Sequence, residues 1–207
     1  LGVCQTAGRL NAHAALCDSS TNLLAVQPVY AAFELCLANG ITPGHKIKLL
    51  NNSDQPLTIE QITAPMGFLI SQNDAPVETI APFTLPPWSE DSLNVFFAPP
   101  EVGYFKEFIH FNYAKNNGTT ETAQLQLFGR AVSGTLVQPG AISGQWSLEH
   151  EPFYILGDVS VSGTLDIEAG VLVEFQGPFS FAVGADARLT AQGSEQDSVI
   201  FSPYDVD

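Results

Sequence analysis

Positive charge is scarce in this sequence. Of 207 residues only 7 are Lys or Arg against 22 Asp or Glu, which leaves a formal charge of −15 and a pI near 4.3. Such a polyanion repels phosphate backbones and anionic headgroups, so nucleic acid and inner-leaflet membrane surfaces are excluded as natural partners. Long apolar runs are missing as well. The longest, Leu23 to Ala38, is broken by Gln27, Pro28 and Glu34 and falls short of the roughly 20 residues that cross a bilayer. No membrane span is expected. No signal-peptide pattern opens the chain and residue 1 is Leu rather than Met, which is consistent with an exported, processed N-terminus.

Cysteine is sparse and confined to the first fifth of the chain: Cys4, Cys17 and Cys36, with no C-x-x-C pair. That spacing argues against zinc and leaves the three as disulfide candidates, one bridge plus a third thiol, or simply as small buried apolar residues. With little Lys and much Ser, Thr, Asn and Gln, the composition points to an extracellular or cell-surface location. Catalytic signatures are absent too. There is no G-x-S-x-G elbow, no G-x-x-x-x-G-K-[ST] loop and no G-x-G-x-x-G between a strand and a helix. His13, His45, His110 and His150 are scattered, with no i,i+4 pair to hold a metal. The chain is therefore expected not to be an enzyme and to carry no cofactor, with calcium as the one metal its oxygen-rich acidity allows. The donors for it are Asp18, Asp54, Asp74, Asp205 and Asp207, the terminal Asp205 and Asp207 foremost, although no EF-hand loop is present.

What is there is apolar residue in quantity, 45% hydrophobic with a mean hydropathy of +0.12, together with 17 Gly and 14 Pro. This is enough to bury a core and exclude a disordered chain. Residues 1–22 show weak periodicity and read as an N-terminal extension. From residue 23 to 132 the period is two. His45-Lys-Ile-Lys-Leu-Leu places Ile47 and Leu49 on one face, and Asn51 to Pro56 turns the chain. Leu57 to Thr63 reads as one strand, then Gly67 to Ser71, Leu93 to Ala98 and Lys106 to Tyr113. After the Lys115-Asn-Asn-Gly118 turn, Ala123 to Phe128 points Leu125 and Leu127 inward between outward glutamines. Short strands at this spacing predict an antiparallel β-sandwich.

The order Lys48 to Ile59, Gly67 to Ile70, Val95 to Tyr104 and Leu125 to Ala131 resembles the abnormal-spindle/hydin type of immunoglobulin-like domain, related to major sperm protein. The most specific piece is Phe97-Ala-Pro99 followed by Gly103-Tyr104. The resemblance implies an immunoglobulin-like fold used for scaffolding and association, and it brings no catalytic residue.

Beyond a small-residue linker at 133–142 the texture changes. Val161 to Phe175 can be laid over Val183 to Phe201, so that Leu165 meets Leu189, Gly170 meets Gly193 and Phe175 meets Phe201 at a period of roughly two dozen residues. The segment Gly163 to Phe175 resembles the opening coils of right-handed parallel β-helix proteins secreted by bacteria. The expected fold is thus all-β, an immunoglobulin-like sandwich at 23–132 followed by a short parallel β-solenoid at 143–207. About two coils are expected, with Trp146 and the Phe153-Tyr154 pair capping the first. The chain stops just after a coil strand, so it is expected either to be a fragment or to be completed by another subunit, with Val199, Phe201 and Tyr204 as assembly candidates.

Three further features carry weak chemistry. Asp166 and Glu168, at i and i+2, share a strand face and offer a carboxylate pair to a cation or a glycosidic bond, or else form an ordinary solvated face. Trp88 and Trp146 are rings on which a sugar stacks, or structural covers. Asn51-Asn-Ser53 and Asn117-Gly-Thr119 are N-glycosylation sequons. The leading functional expectation is a non-catalytic extracellular structural protein. It would act as a surface spacer, adhesin segment or self-assembling fibre subunit, with copies of itself, other surface proteins or a glycan as partners. The alternatives are the N-terminal accessory region of a secreted polysaccharide-acting β-helix enzyme, and a carbohydrate-binding module.

Overall fold

The structure, a computed structural model, describes residues 23–72, 75–116 and 118–203. It is all-β, with a single 3₁₀ turn at Leu148–His150 among the described residues. The first unit holds β1 (Leu24–Gln27), β2 (Tyr30–Ala32), β3 (Cys36–Leu37), β4 (His45–Asn51), β5 (Leu57–Ile59) and β6 (Ile62–Thr63). It continues with β7 (Phe68–Ser71), β8 (Thr79–Ile80), β9 (Phe83–Leu85), β10 (Glu90–Phe97), β11 (Gly103–Ala114) and β12 (Thr120–Val132).

One sheet runs β1-β4-β10-β7 and is antiparallel throughout. The other runs β2-β12-β11-β5-β9; β2 and β3 both lie parallel to β12, and its remaining pairs are antiparallel. Alternation decides which side chains face the other sheet. Ile47, Leu49, Leu93, Val95 and Phe97 from the first sheet meet Leu57, Ile59, Ile109, Phe111, Leu125 and Leu127 from the second in one buried cluster. Each such side chain contributes about 1.5–3 kcal/mol on leaving water, so this cluster is what holds the two sheets face to face. Gly129 permits the closest approach: a Cβ there would sit 2.6 Å from the Phe97 ring.

The Leu57 to Thr63 stretch is two strands instead of the one expected. Ile59 and Ile62 are both buried, a spacing that a continuous two-residue alternation cannot supply, so the chain breaks at Glu60-Gln61 and β6 pairs with β8 in a separate ribbon.

The second unit holds β13 (Thr135–Val137), β14 (Gly140–Trp146), β15 (Phe153–Ile155), β16 (Val159–Ile167), β17 (Leu172–Phe175), β18 (Phe181–Val183), β19 (Arg188–Ala191) and β20 (Ile200–Pro203). All of its pairings are parallel. β13-β15-β17-β20 form one sheet, and β14-β16-β18, with β19 also on β16, form the other. Their inward faces enclose a second core of Val137, Trp146, Phe153, Ile155, Val161, Leu165, Ile167 and Val173. Segment 133–142, expected as a linker, instead carries β13 and the start of β14; its Gly and Ser residues conceal an alternation that backbone pairing to the next layer restores.

The expected repeat holds in part. Leu165 does lie beside Leu189, but Phe201 lies beside Val173 and Phe175 beside Pro203, a shift of two residues. The cause is the local turn at Ser194–Asp197, closed by Ser194 N–H to Asp197 O (3.0 Å) and Asp197 N–H to Ser194 Oγ (2.9 Å), which lengthens the last connection. Trp146 lies on β14, the edge strand of its sheet, in the first layer of the stack. Trp146 stacks on Phe153 between successive layers, centroids 4.5 Å apart and planes 9° apart, and both are buried.

Candidate functional site

Among the described residues no three His, Cys, Asp or Glu side chains converge as metal ligands. Asp54 stands exposed in its turn; Asp18, Asp74, Asp205 and Asp207 lie outside the described residues. Of the histidines, His45 packs its ring 4.6 Å from Phe33, and His150 Nδ1 is 3.0 Å from Ser147 Oγ. His110 lies on a solvent face and His13 is outside the described residues. Asp166 and Glu168 share a face as expected, but Glu168 is engaged: its Oε2 accepts the Leu148 N–H at 3.0 Å. Cys36 is a buried free thiol, and burial pushes its pKa up; Cys4 and Cys17 are outside the described residues. Trp146, stacked in the core, presents no face to a sugar, whereas Trp88 is exposed in its turn at φ 54°.

The first distinctive place is the end of the parallel stack, where β20 is the fourth strand of its sheet and β18 and β19 form the third layer of the other. Three inward columns can be followed from layer to layer. Phe153, Val173 and Phe201 form one, Val161 and Val183 another, Leu165 and Leu189 a third. The earlier members are closed off from solvent. Phe201 and Val183, at the same column positions, are 44% and 47% exposed. They are core positions without a layer over them among the described residues, and β20 likewise has β17 as its one strand neighbour. Of the expected assembly residues, Val199 packs partly against the core, Phe201 stands on the open face with its ring 5.9 Å from Phe181, and Tyr204 lies outside the described residues.

Corner contacts tie the layers together. Asp158 Oδ1 accepts both the Ser180 N–H (2.7 Å) and the Ser180 hydroxyl (2.9 Å), and these bonds hold its carboxyl below the usual range.

The second place is the joint between the two units, which pattern reading missed. β12 ends at Val132 and β13 begins at Thr135, so only Ser133 and Gly134 connect them. Gly134 has φ +106°, and a Cβ on it would fall 2.3 Å from the Pro152 carbonyl oxygen. Arg130 reaches across from β12. Its Nη1 donates to Glu174 Oε1 (3.1 Å) and Gln176 Oε1 (3.3 Å), and its guanidinium lies 5.7 Å from the ring centroids of both Tyr104 and Tyr154. A fork of donors between a carboxylate and two rings suits Arg and not Lys. A cleft of about 510 Å³ opens beside this joint, lined among others by Phe33, Leu35, Leu156 and Phe179. Glu34 and Arg130 are its charged members, and with Arg130 engaged to Glu174 they form no acid–base or nucleophile pair.

No known family pattern matches this chain, and no curated protein does. Solved structures are similar to it over about half its length. The ASH/PapD-like domain 7 of human CEP192 is 12% identical, with a TM-score of 0.41, covering 53% of this chain and 85% of that one. A member of the MSP family from C. elegans, WR4, is 10% identical with a TM-score of 0.36, covering 53% and 98%. The Salmonella enterica SafA pilin in complex with the SafB chaperone is 10% identical with a TM-score of 0.39, covering 52% of this chain and about half, 54%, of that one.

Proposed function

We propose that this chain is a non-catalytic structural region of a cell-surface or extracellular protein. In this reading an immunoglobulin-like sandwich carries a short β-solenoid, and the apolar face of its last described strands is an association surface, tested here with a second copy of the 207-residue chain. The observation that carries the reading is the exposure of the last described member of two inward columns, Phe201 on β20 and Val183 on β18. Phe201 and Val183 continue columns that are sealed one layer earlier, and leaving them in water forgoes the stabilisation their earlier counterparts receive. A parallel layer set against this face would bury both side chains and pair the free edge of β20.

Sedimentation velocity and negative-stain electron microscopy of the 207-residue chain test this. Concentration-dependent pairs or filaments are expected. Val183→Lys and Phe201→Asp should each abolish them, Val183→Lys with its thermal midpoint within a few degrees of the parent because its side chain is already half exposed. A chain that stays monodisperse at high concentration would overturn the assembly reading.

A further inference from the structure

We propose that Trp88, presented at the end of the sandwich where the 51–56 turn, the 86–89 turn and the β11–β12 hairpin are joined, is the binding platform for an uncharged polysaccharide. This rests on the sandwich alone and is independent of what covers the last described strands.

Trp88 is held in a conformation that its side chain disfavours. Its φ is +54°, in the left-handed region that suits Gly or Asn and strains a bulky residue. Bonds on both sides of the turn enforce it. Trp88 N–H donates to the Ser53 carbonyl (3.1 Å), and the Ser89 carbonyl accepts the Asn51 N–H (2.9 Å). The Pro86 carbonyl accepts from both the Ser89 hydroxyl (2.7 Å) and the buried Asn51 Nδ2 (2.9 Å). Pro86 and Pro87 stiffen the approach. Strain of this kind in a structural residue is offset by packing, and a Trp that covered the end of the sandwich would be buried. This indole is 67% exposed. The fold therefore fixes a strained residue and turns its large apolar face to water, the combination that marks a side chain preorganised for a ligand.

The surroundings select the ligand. The turn bonded to Trp88 carries Asn52, Asp54 and Gln55, all exposed, and Asn116 of the hairpin donates from Nδ2 to Gln55 Oε1 (2.6 Å). Among the described residues of these three turns the one cation is Lys115, which is engaged by Glu121. An anionic ligand is therefore disfavoured here, as it is by the −15 charge of the whole chain. A pyranose ring has an apolar C–H face that lies flat on an indole. Its rim of hydroxyls donates to amide and carboxylate oxygens and accepts from amide N–H groups, so the ring and the polar turn are answered together. A protein partner closing over the indole would instead strip water from Asn52, Asp54 and Gln55 and would have to replace each bond.

Affinity electrophoresis of the 207-residue chain in gels cast with hydroxyethylcellulose, laminarin or galactomannan, against a gel without polysaccharide, tests the proposal. Retardation is expected in at least one of them. Trp88→Asn is the decisive variant, because Asn accepts a left-handed φ. It should weaken the affinity read from retardation roughly tenfold while the thermal midpoint stays at or above the parent value. Tyr104→Ala, which removes a ring that is 74% exposed at the far end of β11, should leave retardation unchanged. The parent chain supplies a second reading. Of its two tryptophans Trp146 is buried, so acrylamide quenches Trp88, and the retarding polysaccharide should shield it. No retardation in any of the three gels, retardation that survives Trp88→Asn or is lost equally with Tyr104→Ala, or quenching unaltered by the polysaccharide would overturn the proposal. So would a midpoint lowered by several degrees in Trp88→Asn, which would make the indole a structural cover. Self-association lost with Trp88→Asn in the absence of retardation would also overturn it and make Trp88 a contact between copies.

Discussion

Asn51 shows how much one buried amide organises. Its side chain is 2% exposed, and its Nδ2 donates to the carbonyls of Gln55 (2.8 Å), Leu85 (3.1 Å) and Pro86 (2.9 Å), while Oδ1 accepts from the Ser53 N–H and hydroxyl. The β4–β5 turn and the segment after β9 are thereby held by a single group. The sequon it heads is consequently closed on the folded chain, because the nitrogen that would receive a glycan is already spent on three carbonyls. Asn51→Asp replaces that donor with an acceptor facing the same oxygens. It is expected to cost about 3 kcal/mol or more and to lower the thermal midpoint by roughly 6–12 °C in calorimetry. Gly134→Ala belongs to the same class, since it combines a positive φ with a backbone clash, and a loss of about 2–3 kcal/mol is expected in chemical denaturation.

In the β11–β12 hairpin a titration is built into the core. Tyr113 is buried, its hydroxyl donates to Glu121 Oε2 at 2.7 Å, and Lys115 pairs with the same carboxylate. Burial first, then the bond and the charge of Glu121, push the phenol up to about 12. Unfolded tyrosine ionises near 10, so the folded chain holds this proton more tightly. The resulting stability is complete below about pH 10 and is lost as pH rises from about 10 to about 12. Tyr113→Phe is expected to flatten that loss, read as a shallower fall of urea midpoint across the same window. The same strands show what sequence pattern reveals. Ile47, Leu49, Leu125 and Leu127 were legible because one face is core and the other water, which imprints a period of two. β13 and β14 were not, because Ser, Gly and Ala leave no such imprint and their partners lie a layer away in β15 and β16. The open columns at Phe201 and Val183 were half legible. The repeat announced a stack, but the two-residue shift at Ser194–Asp197 hid which side chains head each column.

At the scale of the molecule, acid is unevenly shared: after residue 133 Arg188 is the one Lys or Arg, while acids recur from Glu149 to Asp207. Arg130, from the less acidic sandwich, meets that acid-rich unit at Glu174, a contact separated by 44 positions that no local pattern announces. Both partners are mostly shielded, with side-chain exposures of 21% and 17%, so the pair is stronger than a surface bridge and its loss leaves Glu174 beside two phenols. Arg130→Ala is expected to loosen the joint, broadening the distance distribution in small-angle X-ray scattering while each unit keeps its circular dichroism. The pairing of β2 and β3 with β12 has a further consequence. These are the strands near the start and at the end of the sandwich, they run parallel, and β12 leads through two residues into the stack. Tension applied along the chain would therefore pull β2 and β12 in opposite directions along their shared ladder. Its hydrogen bonds would share the load in shear instead of opening one at a time, making this seam the mechanical clamp of the sandwich.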